Sequence, residues 1–254
     1  MGRTIPAEEA VGGGGVTEPN PTTRLFLDWN QPGNWYDDAS TYATAMTNSS
    51  GTKSAAQQIF GQDTLLVSGG NVHADSVIAN GHLIPGINDN WYAYVWSYPT
   101  SFPGAAWTIL SQGPRSASAP NWRIVGWGGF SPAQQVIFEV AGGYSTIGTT
   151  GAIAVERTGW NLHHAQYDAV ERKVSLHHDD GAGTMKLCGT AGPFSAGQYF
   201  PRPSFETGYP IQVGAQGGFP FLGHIGPVKV AMGVGMPLWP MADFTTPIVA
   251  DASP

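Results

Sequence analysis

The amino-acid sequence predicts an all-β protein, built as a two-sheet antiparallel sandwich over most of its 254 residues. Three observations support this prediction. Gly and Pro, the two weakest helix formers, contribute 35 and 20 residues and are spread along the chain. The apolar residues fall in strand-sized runs that are separated by clusters of Gly, Pro, Asn and Ser, a pattern typical of sandwiches and barrels. Hydrophobic residues still make up 41% of the chain, including nine Trp, which is enough apolar area for a core.

The strand-sized runs predict ten strands. In chain order they are Asp63–Val67, Trp91–Ser97, Ala106–Ser111, Trp122–Trp127, Gln135–Val140, Ala152–Glu156, Leu162–Tyr167, Val174–His178, Pro210–Gly214 and Pro227–Ala231. One further stretch, Ser54–Phe60, is compatible with a helix of about two turns. Because strands outnumber helical stretches so heavily, an α/β fold is disfavoured.

The two ends of the chain are expected to extend from a single folded domain, residues 24–244. Residues 1–23 are predicted to form a flexible arm, because Gly12–Gly15 is a run of four glycines and prolines follow it. Residues 245–254 contain two prolines and no periodic pattern, which predicts a short C-terminal tail.

Composition excludes several classes of function. Charged residues make up 11% of the chain, against about 25% in an ordinary domain, and the net charge is −7. Such a chain lacks the basic surface that nucleic acids require. The single cysteine, Cys188, cannot form an internal disulfide, which favours assembly in a reducing host cytoplasm. Residues 1–21 contain no apolar run, so we expect no secretion signal, and no segment is apolar enough to enter a membrane.

The strand Trp91–Ser97 is apolar on both faces. Alternation places Trp91, Ala93 and Val95 on one face, which suits the core between two sheets. The other face carries an aromatic stripe, composed of Tyr92, Tyr94 and Trp96. We interpret this stripe as packing beneath a covering segment; a sugar-binding platform is the alternative.

The most characteristic segment runs from Trp160 to Gly181. A Trp opens a strand, Tyr167 and Asp168 close it, and a second strand begins with Lys173 after a polar turn. This spacing resembles the laminin-G-like, concanavalin A-like jelly roll, and the resemblance extends over about residues 24–244. It implies a jelly-roll sandwich in which this segment forms a hairpin.

The resemblance also implies a calcium site at the rim of the domain, since laminin-G-like domains often bind one there. Asp179 and Asp180 are the weak candidates for it, with Asp89 and Asp75 as further carboxylates. The competing interpretation is that these aspartates form turns. No other cofactor is expected.

Two adjacent histidine pairs, His163–His164 and His177–His178, invite a metal hypothesis. Adjacent residues of a strand point to opposite faces, so each pair offers one ligand to a given site. No zinc spacing is present. If the hairpin forms, His163 or His164 could approach His178 or His177 across it and offer a metal site. The interpretation we favour is instead that the imidazoles are hydrogen-bonded or exposed on the surface of the jelly roll.

The sequence predicts no enzymatic activity. Glucanases of the concanavalin A-like fold carry E-x-D-x-x-E on one strand, whereas Glu139 and Glu156 stand alone here. Retaining glycosidases need two carboxyls about 5–5.5 Å apart. The nucleophile elbow, the H-E-x-x-H motif and the P-loop are also absent from the sequence. A glycoside hydrolase is therefore a distant third hypothesis.

Two non-catalytic classes remain. The first is a structural or decoration protein of a virion, such as a bacteriophage particle, attached to other virion proteins or to copies of itself. Ile5, Pro6 and Val11 are the apolar residues of the arm that would dock. The low surface charge fits a subunit that hides surface against its neighbours.

The second class is a free carbohydrate-binding lectin or adhesin. Sugar rings stack on aromatic faces, and four aromatic residues lie in segments rich in Gly or Asn: Trp35, Tyr36, Trp127 and Tyr144. The two classes are compatible, because a virion protein can also bind glycans.

Overall fold

The computed structural model describes thirteen stretches of the chain: residues 23–69, 71–74, 81–83, 88–102, 106–113, 122–127, 135–142, 145–149, 153–154, 159–179, 185–194, 211–216 and 219–234. Residues 1–22 of the predicted arm, which include Ile5, Pro6 and Val11, and the whole predicted tail lie outside these residues, whereas Thr23 is described. In the part of the chain that the structure describes, no helix has the length and apolar character needed to cross a membrane.

Eighteen strands occur among the described residues. They are β1 (Thr23–Leu27), β2 (Met46–Asn48), β3 (Thr52–Ile59), β4 (Gln62–Val67), β5 (Val72–Ala74), β6 (Asp89–Pro99), β7 (Ala106–Gln112), β8 (Trp122–Trp127), β9 (Gln135–Gly142), β10 (Ser145–Thr149), β11 (Ile153–Ala154), β12 (Asn161–Asp168), β13 (Lys173–Asp179), β14 (Lys186–Ala191), β15 (Ile211–Val213), β16 (Ala215–Gln216), β17 (Phe219–Pro220) and β18 (Gly223–Val234). A short 3-10 turn covers Gly81–Leu83.

The strands form two sheets that pack as a sandwich. The eight-stranded sheet has the order β14-β13-β12-β6-β18-β4-β3, with β1 paired to β18. The ten-stranded sheet has the order β10-β9-β8-β7-β15-β5-β2, with three short strands attached. Pairing is antiparallel throughout the described strands except between β17 and β7. The all-β, two-sheet prediction is confirmed.

A tryptophan-rich core fills the space between the sheets. Trp91 of β6 lies 5.1 Å from Trp122 of β8 and 5.6 Å from Phe138 of β9, measured between ring centroids. All three side chains are buried. Tilted and edge-on aromatic contacts of this kind stabilise by about 0.5–1.5 kcal/mol beyond the area they bury.

Each of the ten predicted strands overlaps an observed strand, but the predicted helix is wrong. Ser54–Phe60 belongs instead to edge strand β3 and the turn that follows it, and Ser54 pairs with Thr64 of β4. Phe60 and Gly61 both have positive φ, at 54° and 72°, which is the geometry of a two-residue hairpin turn. Pairing with β4 therefore overrides the local helix compatibility of the Ala- and Gln-rich stretch.

The hairpin predicted from the resemblance is present as β12 and β13. Tyr167 pairs with Val174, both are buried, and the register continues to Leu162 opposite Asp179. The carboxylate of Asp168 accepts two backbone hydrogen bonds of 2.9 Å, from Val170 and Glu171, which close the turn.

The two faces of β6 divide as predicted. Trp91, Ala93 and Val95 belong to the core between the sheets. The aromatic stripe lies on the opposite face in a second apolar cluster with Leu162, and its three members are at most 5% exposed. The stripe is therefore packed and not an open platform.

Candidate functional site

The segment between β1 and β2, residues 28–45, forms an ordered loop, which we call the β1–β2 loop. It begins with Asp28, whose carboxylate accepts hydrogen bonds of 3.0 Å from the backbone of Asn30 and the side-chain amide of Gln31. Aspartate side chains that bond their own following backbone favour turns. The chain therefore turns away from the sheet directly after β1.

A second aspartate, Asp38, ties the loop together. Its Oδ1 accepts hydrogen bonds from the backbone N–H groups of Phe26, at 2.9 Å, and Ser40, at 2.8 Å. Its Oδ2 accepts from the Ser40 hydroxyl, at 2.7 Å, and the Thr44 N–H, at 2.9 Å. A carboxylate offers about four acceptor positions. The buried Asp38 carboxylate is therefore fully used in holding the loop against β1.

Three aromatic residues anchor the loop to the core. Trp29, which has a φ of 61°, is buried and donates its indole N–H to the carbonyl of Gly226 at 2.7 Å. Trp35 packs at 6.1 Å from Trp29, and Tyr36 meets Trp35 edge-on at 5.4 Å. Trp35 and Tyr36 are half-buried and pack against the core.

A cavity of about 390 Å³ opens within the same loop. Its polar lining consists of Gln31, Asp37, Asp38 and Thr44, and its apolar lining of Pro32, Ala43 and Ala45. Trp35 and Tyr36 are sequence neighbours of Asp37 but do not line the cavity. The same loop therefore carries a half-buried aromatic pair and, directly after it in the sequence, residues that line a recess of hydrogen-bonding groups.

Tyr42 and His82 form a stacked pair that is linked to Thr44, one of the residues lining the recess. Their rings stack in parallel, with centroids 4.4 Å apart, and His82 Nε2 is hydrogen-bonded to Thr44 Oγ1 at 2.8 Å. The Arg24 guanidinium lies over the Tyr42 ring and bonds the Tyr42 hydroxyl. Burial lowers the pKa of His82, and Asp38 opposes this effect. A neutral imidazole is therefore favoured next to the cavity.

The structure brings two of the four predicted sugar-contacting residues together, Trp35 and Tyr36. Trp127 ends β8 in the ten-stranded sheet, where its backbone pairs with Ala106 and Gln135. The Trp127 side chain and the whole of Tyr144 lie outside the described part of the chain.

The calcium candidates do not form a described site. Asp179 ends β13 and is 1% exposed, and Asp89 begins β6 half-buried. Asp180 and Asp75 lie outside the described residues. Within those residues, no three His, Cys, Asp or Glu side chains come together in a way that would hold a metal ion.

The four histidines of the β12–β13 hairpin meet across it in two pairs, one on each face. On the core side, His163 Nδ1 lies 3.2 Å from His178 Nδ1, and His163 Nε2 lies 2.9 Å from the Ser97 hydroxyl. On the other side, the rings of His164 and His177 are 5.9 Å apart. All four imidazoles are at most 8% exposed, so they are buried rather than exposed on the surface of the sandwich.

Burial determines the charge of these histidines. It holds the pKa of His163 well below the ordinary value, and it lowers the pKa of His164 to about 3. The neighbouring imidazoles, His178 and His177 respectively, lower both pKa values further. Both side chains are therefore neutral near pH 7.

Sequence reasoning missed the cavity and the residues that shape it. Asp38 and Thr44 are separated by six positions and meet only because the loop folds back on β1. The signal available in the sequence was the segment from Asp28 to Ser40, which is dense in Asp, Asn, Gly and Pro between two apolar runs. Of the two carboxylates considered for catalysis, Glu139 lies on β9 opposite Arg123, and Glu156 lies outside the described residues.

Comparison with known proteins places the fold but not a family. No family model matches the chain, and no curated protein matches its sequence. Among solved structures, domain 4 of AbnA, an extracellular GH43 arabinanase from Geobacillus stearothermophilus solved with arabinotriose, superimposes with a TM-score of 0.50. It is 10% identical, and the match covers 83% of this chain and 92% of that domain.

Two larger proteins contain a similar sandwich. The enzymatically active domain of tailspike protein 2 from bacteriophage CBA120 gives a TM-score of 0.54 at 12% identity, covering 74% of this chain and 28% of that one. The Trypanosoma rangeli sialidase in complex with the inhibitor DANA gives 0.53 at 9% identity, covering 82% and 30%. This chain therefore spans less than a third of either protein, and the likeness is one of fold. The protein belongs to the class of jelly-roll-like β-sandwiches that these enzymes and the tailspike contain.

Proposed function

We propose that this chain is a non-catalytic jelly roll of the laminin-G-like, concanavalin A-like type, which is displayed on a virion and binds glycans at the β1–β2 loop. The observation that carries the proposal is that one ordered loop contains both this recess and the half-buried aromatic pair Trp35 and Tyr36. Aromatic rings offer stacking faces for sugars, and Asp37 and Gln31 offer acceptors for their hydroxyl groups.

The rigidity of the loop supports a binding role. The Asp38 carboxylate accepts four hydrogen bonds that fix the loop, and the Trp29 indole N–H binds the loop to β18. A loop that is already ordered loses little conformational entropy when a ligand binds, so more of the contact energy appears as affinity. Functional residues commonly occupy such loops on rigid sheet scaffolds.

The comparisons support the same class of ligand at the level of fold. The arabinanase domain was solved with an oligosaccharide, and another similar sandwich belongs to a phage tailspike. The tailspike is a phage protein, which is compatible with a virion role for this chain, and a free lectin or adhesin is the alternative.

The chemistry of the loop supports a non-catalytic role. Asp37 and Asp38 are adjacent, yet Asp38 has all its acceptor positions filled by structural donors and is not free to transfer a proton. Incubation with a panel of glucans, galactans, arabinans and bacterial polysaccharides should release no reducing sugar. Turnover that disappears in Glu139→Gln or Glu156→Gln would instead establish the glycoside hydrolase alternative.

Glycan binding is tested with the purified full chain on a glycan array, followed by calorimetry with the best ligands. Tyr36→Ala should lower affinity at least tenfold, which corresponds to about 1.4 kcal/mol. Leu187→Ala, at an exposed position on β14, serves as the control and should bind as the wild type does. A folded Tyr36→Ala variant that keeps wild-type affinity would exclude the loop, and a wild-type chain that binds nothing on the array would exclude the function.

We further propose that residues 1–23 attach the jelly roll, residues 24–244, to other virion proteins. A run of four glycines loses much backbone entropy on ordering, so a partner surface must supply compensating contacts to Ile5, Pro6 and Val11. Deleting residues 2–20 should leave the melting temperature nearly unchanged and abolish incorporation into particles. Incorporation of the truncated chain at wild-type occupancy would show that attachment runs through the jelly roll itself.

A further inference from the structure

We propose that the cavity of the β1–β2 loop selects neutral glycans, which bind by donating hydroxyl hydrogen bonds, over sialylated and other anionic glycans. This inference rests on the proposed function and names the class of ligand that the same site takes. Two observations support the inference. Some polar groups that line the cavity are already hydrogen-bonded within the protein, and the acceptors that remain free lie in a negatively charged loop.

Two of the four polar side chains that line the cavity, Asp38 and Thr44, are already hydrogen-bonded within the protein. The four acceptor positions of the Asp38 carboxylate receive four donors from the loop and β1. The Thr44 hydroxyl, which is 3% exposed, is engaged with His82 Nε2 at 2.8 Å. The Asp38 carboxylate therefore offers no free acceptor position to a ligand, and the hydroxyl of the buried Thr44 is already bonded to His82.

The other two polar side chains present acceptors. The Asp37 carboxylate is half-buried and forms no hydrogen bond or ion pair with any residue that the structure describes. Gln31 directs its amide nitrogen to both carboxylate oxygens of Asp28, at 3.0 Å each, which leaves its carbonyl oxygen for a ligand. An acceptor-rich wall requires a ligand that donates, and sugar hydroxyl groups are donors.

The charge of the loop is negative. Asp28, Asp37 and Asp38 lie within eleven positions, and the donors bonded to Asp28 and Asp38 are all neutral backbone, hydroxyl or amide groups. The nearby cation, Arg24, is engaged with Tyr42 and with the carbonyl of Met232. A carboxylate on the ligand would therefore meet like charge and the acceptor oxygens of Asp37 and Gln31, and both effects disfavour it.

The test compares matched neutral and anionic oligosaccharides on the full chain by calorimetry at low salt. The pairs are lactose with sialyllactose, and galactotriose with trigalacturonate; arabinotriose is added as a further neutral probe. We expect each neutral member to bind at least tenfold more tightly than its anionic partner. The Asp37→Asn variant should weaken neutral binding and reduce the neutral-to-anionic ratio at least threefold. Glu171→Gln, which removes one negative charge at the exposed β12–β13 turn, should change neither quantity.

Each result has a defined meaning. The inference is supported if the wild type binds neutral sugars more tightly than anionic ones, and if this preference is smaller in Asp37→Asn but unchanged in Glu171→Gln. Equal or tighter binding of the anionic members, lost in Tyr36→Ala, would overturn the charge argument while leaving glycan binding intact. A neutral preference that Asp37→Asn leaves unaltered would overturn the placement of the site in this cavity. Absence of binding across the panel and the array would overturn the proposed function itself.

Discussion

Acid should destabilise this protein strongly, because its hairpin histidines are buried in the neutral state. The perturbation is a change from pH 7 to pH 5. His164 is fully buried, and burial together with the neighbouring His177 lowers its pKa to about 3. An unfolded chain restores the ordinary histidine pKa of about 6.5.

The sign of the effect follows from proton binding. At pH 5 the unfolded His164 imidazole is mostly protonated, whereas the folded one is neutral, so the unfolded state binds more protons. The free energy of unfolding therefore falls as the pH falls below about 6.5, and this loss continues until the folded pKa near 3 is reached. His164 alone contributes a loss of about 2 kcal/mol between pH 7 and pH 5. His163, whose pKa burial also lowers, adds to the loss in the same direction.

The assay is urea unfolding of the wild type and of His164→Gln at both pH values. Gln retains hydrogen-bonding capacity but takes up no proton, so the difference in stability between pH 7 and pH 5 should shrink by about 2 kcal/mol in the variant. Any pH-independent destabilisation by the substitution cancels in this comparison. A pH dependence that is equal in the two proteins, or a wild type that is no less stable at pH 5, would refute the assignment of a neutral buried His164.

Three further predictions follow from particular contacts. Gly126→Ala places a methyl group into the buried Trp107 ring and should lower the free energy of unfolding by about 1–3 kcal/mol, measured by urea unfolding; an unchanged midpoint would mean that Trp107 can move. Asp38→Asn replaces one carboxylate oxygen by an NH2 group, so two of the four donors lose their acceptor; it should cost about 1–3 kcal/mol and weaken glycan binding, and a variant with wild-type stability and affinity would contradict the role of Asp38 in the loop. Since we expect no resident metal, EDTA should leave the melting temperature unchanged, and a fall reversed by calcium would place an ion in the fold.

The strands could be predicted from the sequence because the residues of a strand alternate between its two faces, which is a local pattern. Alternation in β6 correctly separated Trp91 from Tyr92, and the spacing around Tyr167 correctly indicated the β12–β13 hairpin. The same alternation showed that His163 and His164 face opposite ways. Each of these features depends on residues one or two positions apart, or on a hairpin turn, so the sequence displays it directly.

The sequence failed where pairing or packing partners lie far away along the chain. The Ser54 stretch is a strand because of its contacts with β4, which local propensity does not record. The position of Trp29 is fixed by a hydrogen bond to the carbonyl of Gly226 in β18, which is 197 positions away along the chain. The cavity depends in turn on Asp38 reaching both β1 and Thr44. Trp35 and Tyr36 were therefore identifiable as candidates, while the recess beside them was not.

The position of the site follows from how the two faces of the eight-stranded sheet are used. One face is buried in the sandwich core, and the aromatic stripe on the other is also buried, so neither face presents an open aromatic surface along β6. Under the proposed function, recognition is therefore expected at a connection between strands, and the β1–β2 loop is a described connection that is anchored in the core. Trp29 and Asp38 are buried and hold the loop in place without needing to contact a ligand. Tyr36 and Asp37, in contrast, are partly exposed. This separation allows substitutions at the exposed positions to alter binding while the anchors preserve the shape of the loop.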